Sequence, residues 1–430
     1  MITGKGVGAL LAALAIYFLA RLTQVGWLYL VDAILWGALA LALVMPWAGV
    51  VFISGRRSAT TNNNRKAGTP LSEGDDVTIT ISLKNRMFYP RFFHSVMYDS
   101  PIAGPDGAEQ RFFVAQLPGF ATMPLESTVE AYQRGLHRLG TVKLESSVPF
   151  GFFRKKRSLA GPEPILVLPR VYPLKRLALV DGLDGWSSSA RPSRNAMDQA
   201  GSRPYVHGDS RRMVHWRNTA RTGRLMVKET EDQTNRTLQI MFDSGDLWGS
   251  GRDSNFEYAV KLVVSVADYA LKNRVPVRLW GSNLSGSNFA APGTITDLKG
   301  VSHTWADLLR SLAVVQPVGR TAMCEGLASL PPGANVFIVM SADDEPTHEG
   351  LRRALAYAGE VVAVRLEGFG EPPSAEDTAR SLEQAGASVL SCGPGGLEQT
   401  ITDIENVGLS RDYQAIEAST GLVSVGAGQL

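Results

Sequence analysis

The run 201–231, GSRPYVHGDSRRMVHWRNTARTGRLMVKETE, concentrates the side chains most able to do chemistry. Arg203, Arg211, Arg212, Arg217, Arg221, Arg224 and Lys228 stand against a single acid, Asp209, until Glu229. Tyr205 and Trp216 lie inside the run, and His207 and His215 add ring nitrogens. Three chemistries suit this set. Guanidinium forks bind carboxylates or phosphates, with Trp216 or Tyr205 as a stacking surface. The same residues can instead clamp two domains: Asp209 pairs with Arg212 or Arg221, Trp216 fills the junction, and Gly208 and Gly223 permit tight turns. A catalytic reading makes Asp209 or His215 a base and the arginines stabilisers of a developing anion. No nucleophile with a matched base, phosphate-binding glycine motif or zinc ligand set accompanies them, so no catalytic residue is assigned. The binding or signature set is Tyr205, Gly208, Asp209, Arg211, Arg212, His215, Trp216, Arg217, Arg221, Gly223 and Arg224. Clamp and binding can coexist, with Asp209 and Trp216 structural while Arg211, Arg217 and Arg224 face outward.

The rest of the chain bounds these readings. At 430 residues it has room for two or three domains. Net charge is only +2, so the basic run is local, which argues against nucleic acid as a partner. Cys324 and Cys392 are the only cysteines, which implies neither a disulfide framework nor a thiolate metal site.

The N-terminus is apolar over Gly6 to Ala20 and again over Val25 to Ile53, with an early exit expected near Pro46. A small-x-small cleavage pattern, Ala13-Leu14-Ala15, falls inside the first run and a second run follows at once, so a transmembrane hairpin is expected over 1–57. Lys5, Arg56, Arg57, Arg65 and Lys66 flank its outer ends while the turn holds only Arg21, which places both ends and the body in the cytoplasm. Asp32 in the second span is expected at the interface rather than against a partner helix.

Residues 58–70 read as a polar linker. In DDVTITISLKN, Val77, Ile79, Ile81 and Leu83 alternate with Thr78, Thr80, Ser82 and Lys84, the signature of a half-buried strand. RFFHSVMYD, RFFVAQL, STVEAYQ, GTVKLESS and EPILVLPRVY repeat the texture, so 58–175 is expected to be an antiparallel β-sandwich. From 236 to 415, strands RTLQIMFD, VPVRLWG, NVFIVMSA, EVVAVRLE and ASVLSCG alternate with helical segments. The first of these has Ser254 and Glu257 as a capping box and one apolar face of Phe256, Val260, Val263, Ala267 and Leu271. Helices are also read over TWADLLRSLAVV, EGLRRALAYA, AEDTARSLEQA and LEQTITDIENV, which gives a mostly parallel sheet covered on both faces. The basic segment 176–235 joins the two domains, and 416–430 is a Gly- and Ser-rich tail.

With these residues placed, the sequence resembles the bacterial membrane-protein family called domain of unknown function 58. The family signature reads Tyr-x-x-Gly-Asp, an Arg, His or Asp before Trp, then Ala-Arg-Thr-Gly and Leu. Tyr205, Gly208, Asp209, Arg212, His215, Trp216, Ala220, Arg221, Thr222, Gly223 and Leu225 stand at those positions. RGLHRLG (134–140) and PFGFFRKKR (149–157) also look like its sandwich signatures, so the resemblance spans nearly the whole chain. Pro204 and Ser147-Val148 depart from it where acids are usual. The resemblance implies an α+β multidomain chain: a transmembrane helical hairpin, an antiparallel β-sandwich and an α/β von Willebrand factor A-like (Rossmann-like) domain. It implies a multi-pass protein of the bacterial inner membrane that partners a MoxR-class AAA+ ATPase and its protein clients, alongside a transglutaminase-like membrane protein.

A von Willebrand A fold can hold a Mg²⁺-like ion in a loop Asp-x-Ser-x-Ser after its first strand. Here that loop is Asp243-Ser244-Gly245-Asp246-Leu247, with both later hydroxyls replaced; Ser341, Asp343 and Asp344 follow another strand without the motif's spacing. Asp243, Ser244 and Asp343 are weak candidates, and neither metal nor cofactor is assigned. The expectation is a membrane-anchored, non-catalytic scaffold or adaptor. The alternatives are a metal-dependent protein-binding module using the Asp243 loop and an enzyme using Asp209 and His215.

Overall fold

A computed structural model describes residues 2–61, 71–107, 109–181, 202–205, 214–228, 237–243, 245, 247–284, 286–290, 302–319, 321–341, 358–370, 383–384 and 386–407. The chain divides into two units, Met1–Pro169 and Arg170–Leu430.

The first unit opens with α1 (Gly4–Thr23) and α2 (Gly26–Val50), both long and apolar enough to cross a membrane. Gly6, Ala13 and Ala20 are buried at seven-residue intervals on α1, as are Asp32, Leu39 and Pro46 on α2, joined by Ala42 and Val50. Small residues along such a seam let two backbones approach closely. The outer faces leave Leu11, Phe18, Leu22, Leu30, Ile34 and Leu43 exposed, an apolar surface suited to lipid. The second helix runs unbroken through Pro46 to Val50. Asp32 is buried in that seam, and its Oδ1 has no hydrogen-bond partner among the described residues. Residues 58–61, read as linker, belong to strand β1 (Ile53–Thr61).

β1 pairs with β2 (Asp76–Asn85), which pairs with β5 (Thr122–Glu130), all antiparallel. β3 (Arg91–Asp99), β4 (Glu109–Leu117), β7 (Val142–Ser146) and β8 (Lys155–Ala160) form a second antiparallel sheet; β6 (Gly135–Leu139) pairs with β9 (Glu163–Val167). Val77, Ile79, Ile81 and Leu83 share one core with Val96, Tyr98, Val142 and Leu144, as the alternation of β2 requires.

The ends of the helices are tied into these sheets. The last carbonyls of a helix lack intrahelical donors and carry its negative dipole end. Arg91 donates to Ala48 O and, at 3.2 Å, to Val51 O; His94 Nε2 donates to Gly49 O at 3.1 Å; Arg157 donates to Val50 O at 2.9 Å. At the other end, Thr3 caps α1 by accepting from Gly6 N (3.2 Å) and donates its hydroxyl to Gly151 O at 2.7 Å, while its N–H bonds Phe152 O at 2.9 Å. Segment 149–157 therefore contacts both outer ends of the hairpin.

His94 is 2% exposed and its Nδ1 has no hydrogen-bond partner among the described residues. Burial, with the Arg91 charge adding to it and the Gly49 bond opposing it, holds its pKa below the ordinary 6.5. A depressed histidine favours the neutral form in the folded state, so its contribution is present above 6.5 and is lost as pH falls through the lowered folded value. We predict that the melting temperature of the chain in detergent falls as pH drops below 6.5, and that His94→Gln, which keeps a donor for Gly49 O, flattens that dependence.

In the second unit, β10 (Ser202–Pro204) and β11 (Met226–Lys228) form an antiparallel ribbon, with the short helix α3 (Trp216–Thr222) before β11. The main sheet holds β12 (Leu238–Phe242), β13 (Val277–Trp280), β14 (Ser287–Phe289), β15 (Ser302–His303), β16 (Val336–Met340), β17 (Val361–Leu366) and β18 (Ser388–Cys392). Its order is β15-β14-β13-β12-β16-β17-β18, parallel except where β13 meets β14. Ile240 and Phe242 pack with α4 (Asn255–Lys272), α5 (Trp305–Val314) and α7 (Leu397–Asn406). Met241, one residue between them, packs with Met323 and Leu327 of α6 (Thr321–Ala328) on the opposite face. The five expected strands are present, while β14, β15 and α6 were not anticipated. The helices expected over EGLRRALAYA and AEDTARSLEQA, and the 416–430 tail, lie almost wholly outside the described residues.

One helix departs from its pattern. α4 was read as one-faced, yet Glu257, Lys261 and Asp268 are buried along with its apolar residues. Long side chains reach partners from such positions: Lys261 Nζ donates to Arg252 O at 3.4 Å, and Asp268 pairs with Lys272 at 2.5 Å.

Candidate functional site

The described part of the basic run is a small self-braced module. β10 pairs with β11, Val214 bridges Val227, and Tyr205 N and His215 N donate to Leu225 O and Met226 O at 2.9 and 2.8 Å. Inside this frame His215 is the N-cap of α3, its Nδ1 accepting from Asn218 N at 3.2 Å. Aspartate is among the strongest N-caps, which gives a physical reason for a signature that accepts His or Asp before Trp. Gly223 ends the helix at φ +67°, a left-handed conformation that glycine adopts without penalty, and its N–H returns to Thr219 O at 3.0 Å. Thr222 donates to Asn218 O at 2.7 Å, and Thr219 Oγ1 accepts from Met226 N at 3.0 Å.

These bonds sort the signature by role. His215, Gly223, Thr222, Tyr205 (through its backbone) and the unanticipated Asn218 and Thr219 build the module. Trp216 is 70% exposed, and Arg217, Arg221 and Arg224 are exposed beside it in sequence. Gly208, Asp209, Arg211 and Arg212 lie outside the described residues, so the Asp209 ion pairs do too. The sequence signal that would have revealed Asn218 and Thr219 is the cap itself: a histidine, then a seven-residue polar helix closed by glycine.

A second constellation lies at the carboxyl end of the main sheet. After β12 the chain builds β13 on one side and later β16 on the other, so β12 and β16 flank the point where strand order reverses. Open α/β sheets bind ligands at such a point. Asp243, 5% exposed, follows β12; its Oδ2 accepts from Ser341 Oγ at 3.0 Å and its Oδ1 from Gly245 N at 2.8 Å. Leu247 is exposed, while Ser244, Asp246, Asp343 and Asp344 lie outside the described residues. No cluster of three His, Cys, Asp or Glu is found among the described residues.

Comparison with known proteins bears on these same elements. The "Uncharacterized protein YeaD" of Bacillus subtilis (strain 168) is 23% identical over 298 residues, 65% of this chain and 70% of that protein. Among solved structures, an immunoglobulin-like protein from Pseudomonas aeruginosa matches 27% of this chain and 95% of its own at 15% identity and a TM-score of 0.17. The Pseudomonas fluorescens alkylpurine DNA glycosylase AlkC bound to DNA matches 30% of this chain and 33% of its own, at 11% identity and the same TM-score of 0.17. At such scores neither structure carries an argument. The model of the family "Protein of unknown function DUF58" matches residues 201–371, a narrower span than the near-complete resemblance expected from the motifs, and that span contains both the α3 module and the Asp243–Ser341 pair.

Proposed function

We propose that the chain is a membrane-anchored, non-catalytic scaffold whose second unit, read as a von Willebrand factor A-like domain, docks a MoxR-class AAA+ ATPase and its clients through the face around Trp216. The observation that carries this reading is the 70% exposure of Trp216 next to exposed Arg217, Arg221 and Arg224, on a module whose own hydrogen bonds hold it in shape. An exposed tryptophan in a sequence stretch with exposed arginines has the composition of an interaction hot spot, and its charge suits an acidic partner surface. The spans α1 and α2 supply the anchor, and Lys5, Arg56 and Arg57 at their outer ends support a cytoplasmic body. His215 supports the absence of catalysis: its Nδ1 lone pair is taken up by the Asn218 N–H, so it caps α3 rather than serving as a base. The test is a triple variant, Trp216→Ala, Arg221→Glu and Arg224→Glu. Its melting point is expected to move by no more than about 0.5 kcal/mol equivalent, as for surface substitutions. In a mild-detergent pull-down, wild type is expected to retain a AAA+ ATPase that the variant loses; a large loss of stability would favour the clamp.

A second reading, a metal-dependent binding module, is favoured by the buried Asp243–Ser341 pair at the strand reversal. It predicts that millimolar Mg²⁺ or Mn²⁺ raises the melting temperature of wild type and leaves Asp243→Asn unmoved, since only a bound ion stabilises the fold by mass action. Equal curves with and without metal for both proteins would remove this reading.

A further inference from the structure

The root of α2 carries a cavity of about 520 Å³ lined by Phe52, Ser54, Arg86, Lys155, Lys156 and Arg157, over a floor of Val50, Val51 and Ile53. Four of its lining residues are cations and none is a carboxylate. Arg157 spends one N–H on Val50 O, and Lys156 shares Glu145 with Arg154 at 3.4 and 2.8 Å. Arg86 makes an exposed bond to Ser54 Oγ at 3.3 Å, which points its guanidinium along the cavity wall. With the helix carbonyls already served by Arg91, His94 and Arg157, the remaining charge is a surplus available to an anion.

The cavity's place says which anion. Phe52 stands two residues past Val50, so it lies within about 7 Å of the end of the span along the chain. Its φ of +63° is costly for a bulky residue and turns the ring outward, 53% exposed. Arg86 N bonds Phe52 O at 3.0 Å and Phe120 N bonds Met87 O at 2.9 Å, which brings Phe88 and Phe120, both exposed, to the same edge. Exposed aromatic rings around a cationic hollow match the boundary of a bilayer, where rings sit at headgroup depth and lysine or arginine meets phosphate.

We propose that this cavity binds the phosphate headgroup of an anionic phospholipid of the membrane that holds α1 and α2. The proposal rests on the reading of those helices as membrane spans. The test uses the full chain in nanodiscs of phosphatidylcholine alone or with phosphatidylglycerol, released into detergent for native mass spectrometry of retained lipid. Wild type is expected to retain phosphatidylglycerol over phosphatidylcholine. The double variant Arg86→Gln, Lys155→Gln, which spares the helix-capping groups, is expected to weaken that retention roughly 30-fold while melting like wild type in phosphatidylcholine discs. Equal retention of both lipids, or an unchanged preference in the variant, would overturn the site. Displacement of the lipid by inorganic phosphate at matched concentration would assign the cavity to free phosphate and overturn the lipid. Release of wild type from vesicles by alkaline carbonate would overturn the spanning reading itself; retention without lipid preference overturns the headgroup site alone.

Discussion

Arg91→Ala is expected to destabilise the unit Met1–Pro169 by about 3 kcal/mol, a large share of the 5–15 kcal/mol typical of a folded domain. Arg91 is 5% exposed, and its guanidinium donates to two carbonyls at the end of α2, Ala48 O and Val51 O, while lying 4.3 Å over the ring of Tyr89. Truncation strands both acceptors near the negative end of the helix dipole, at about 1–3 kcal/mol for each group left buried without a donor. Part of the loss is offset, because the wild-type side chain is itself costly to bury and its Nε has no hydrogen-bond partner among the described residues. Arg91→Lys should fall between the two, since an ammonium on a single stem cannot serve both carbonyls in the fixed geometry of a guanidinium. Thermal melting in detergent measures this. A change below about 0.5 kcal/mol, the size of an ordinary surface effect, would mean that water serves these carbonyls as well as arginine does.

The second large effect separates two glycines on one helix. A Cβ built on Gly6 lands 2.2 Å from Phe152 O, a backbone atom that cannot swing aside, whereas a Cβ on Gly8 meets nothing within 4 Å. Gly6→Ala should therefore push α1 away from segment 149–157 and strain the Thr3 bonds to Gly151 and Phe152, costing about 1–3 kcal/mol for the overpacking. Gly8→Ala makes the same chemical change in open space and should be neutral or stabilising by up to about 1 kcal/mol, the helix preference for alanine over glycine. Opposite signs for one substitution in one helix are the expected result. Two equal, small changes would show that α1 is not seated on that segment.

How much of this was readable beforehand depends on what each element buries. β2 was legible because one face is in the core and the other is not, so the sequence alternates. β16 was legible for a different reason: it lies between parallel neighbours and every residue is buried, giving the continuous run VFIVM. β1 was hidden by its own composition, ISGRRSATT, in which Arg57 is buried and donates to Gly140 O and Gly161 O at 2.7 and 3.0 Å. Hydrophobic pattern does not register an arginine buried on carbonyls. α4 misled in the opposite direction, since its pattern shows one apolar face while Glu257 and Lys261 off that face are buried as well.

At the candidate site, Gly223 announced a turn by type alone, and the turn is there. Helix α3 did not announce itself: seven residues are too few for a period, and its start depends on a histidine ring acting as the cap. The exposure of Trp216 was likewise unreadable, because an aromatic residue among arginines fits a packed junction and an open surface equally well.

The central claim is that the Trp216 face receives a partner, and the most direct measurement is site-specific photo-crosslinking in living cells with a photoreactive phenylalanine at position 216 of the full chain. The account predicts a crosslink to a AAA+ ATPase, lost when Arg221 and Arg224 are also changed to glutamate. A crosslink formed only within the chain, to residues of Met1–Pro169, would contradict it and establish the stretch as a clamp between the two units.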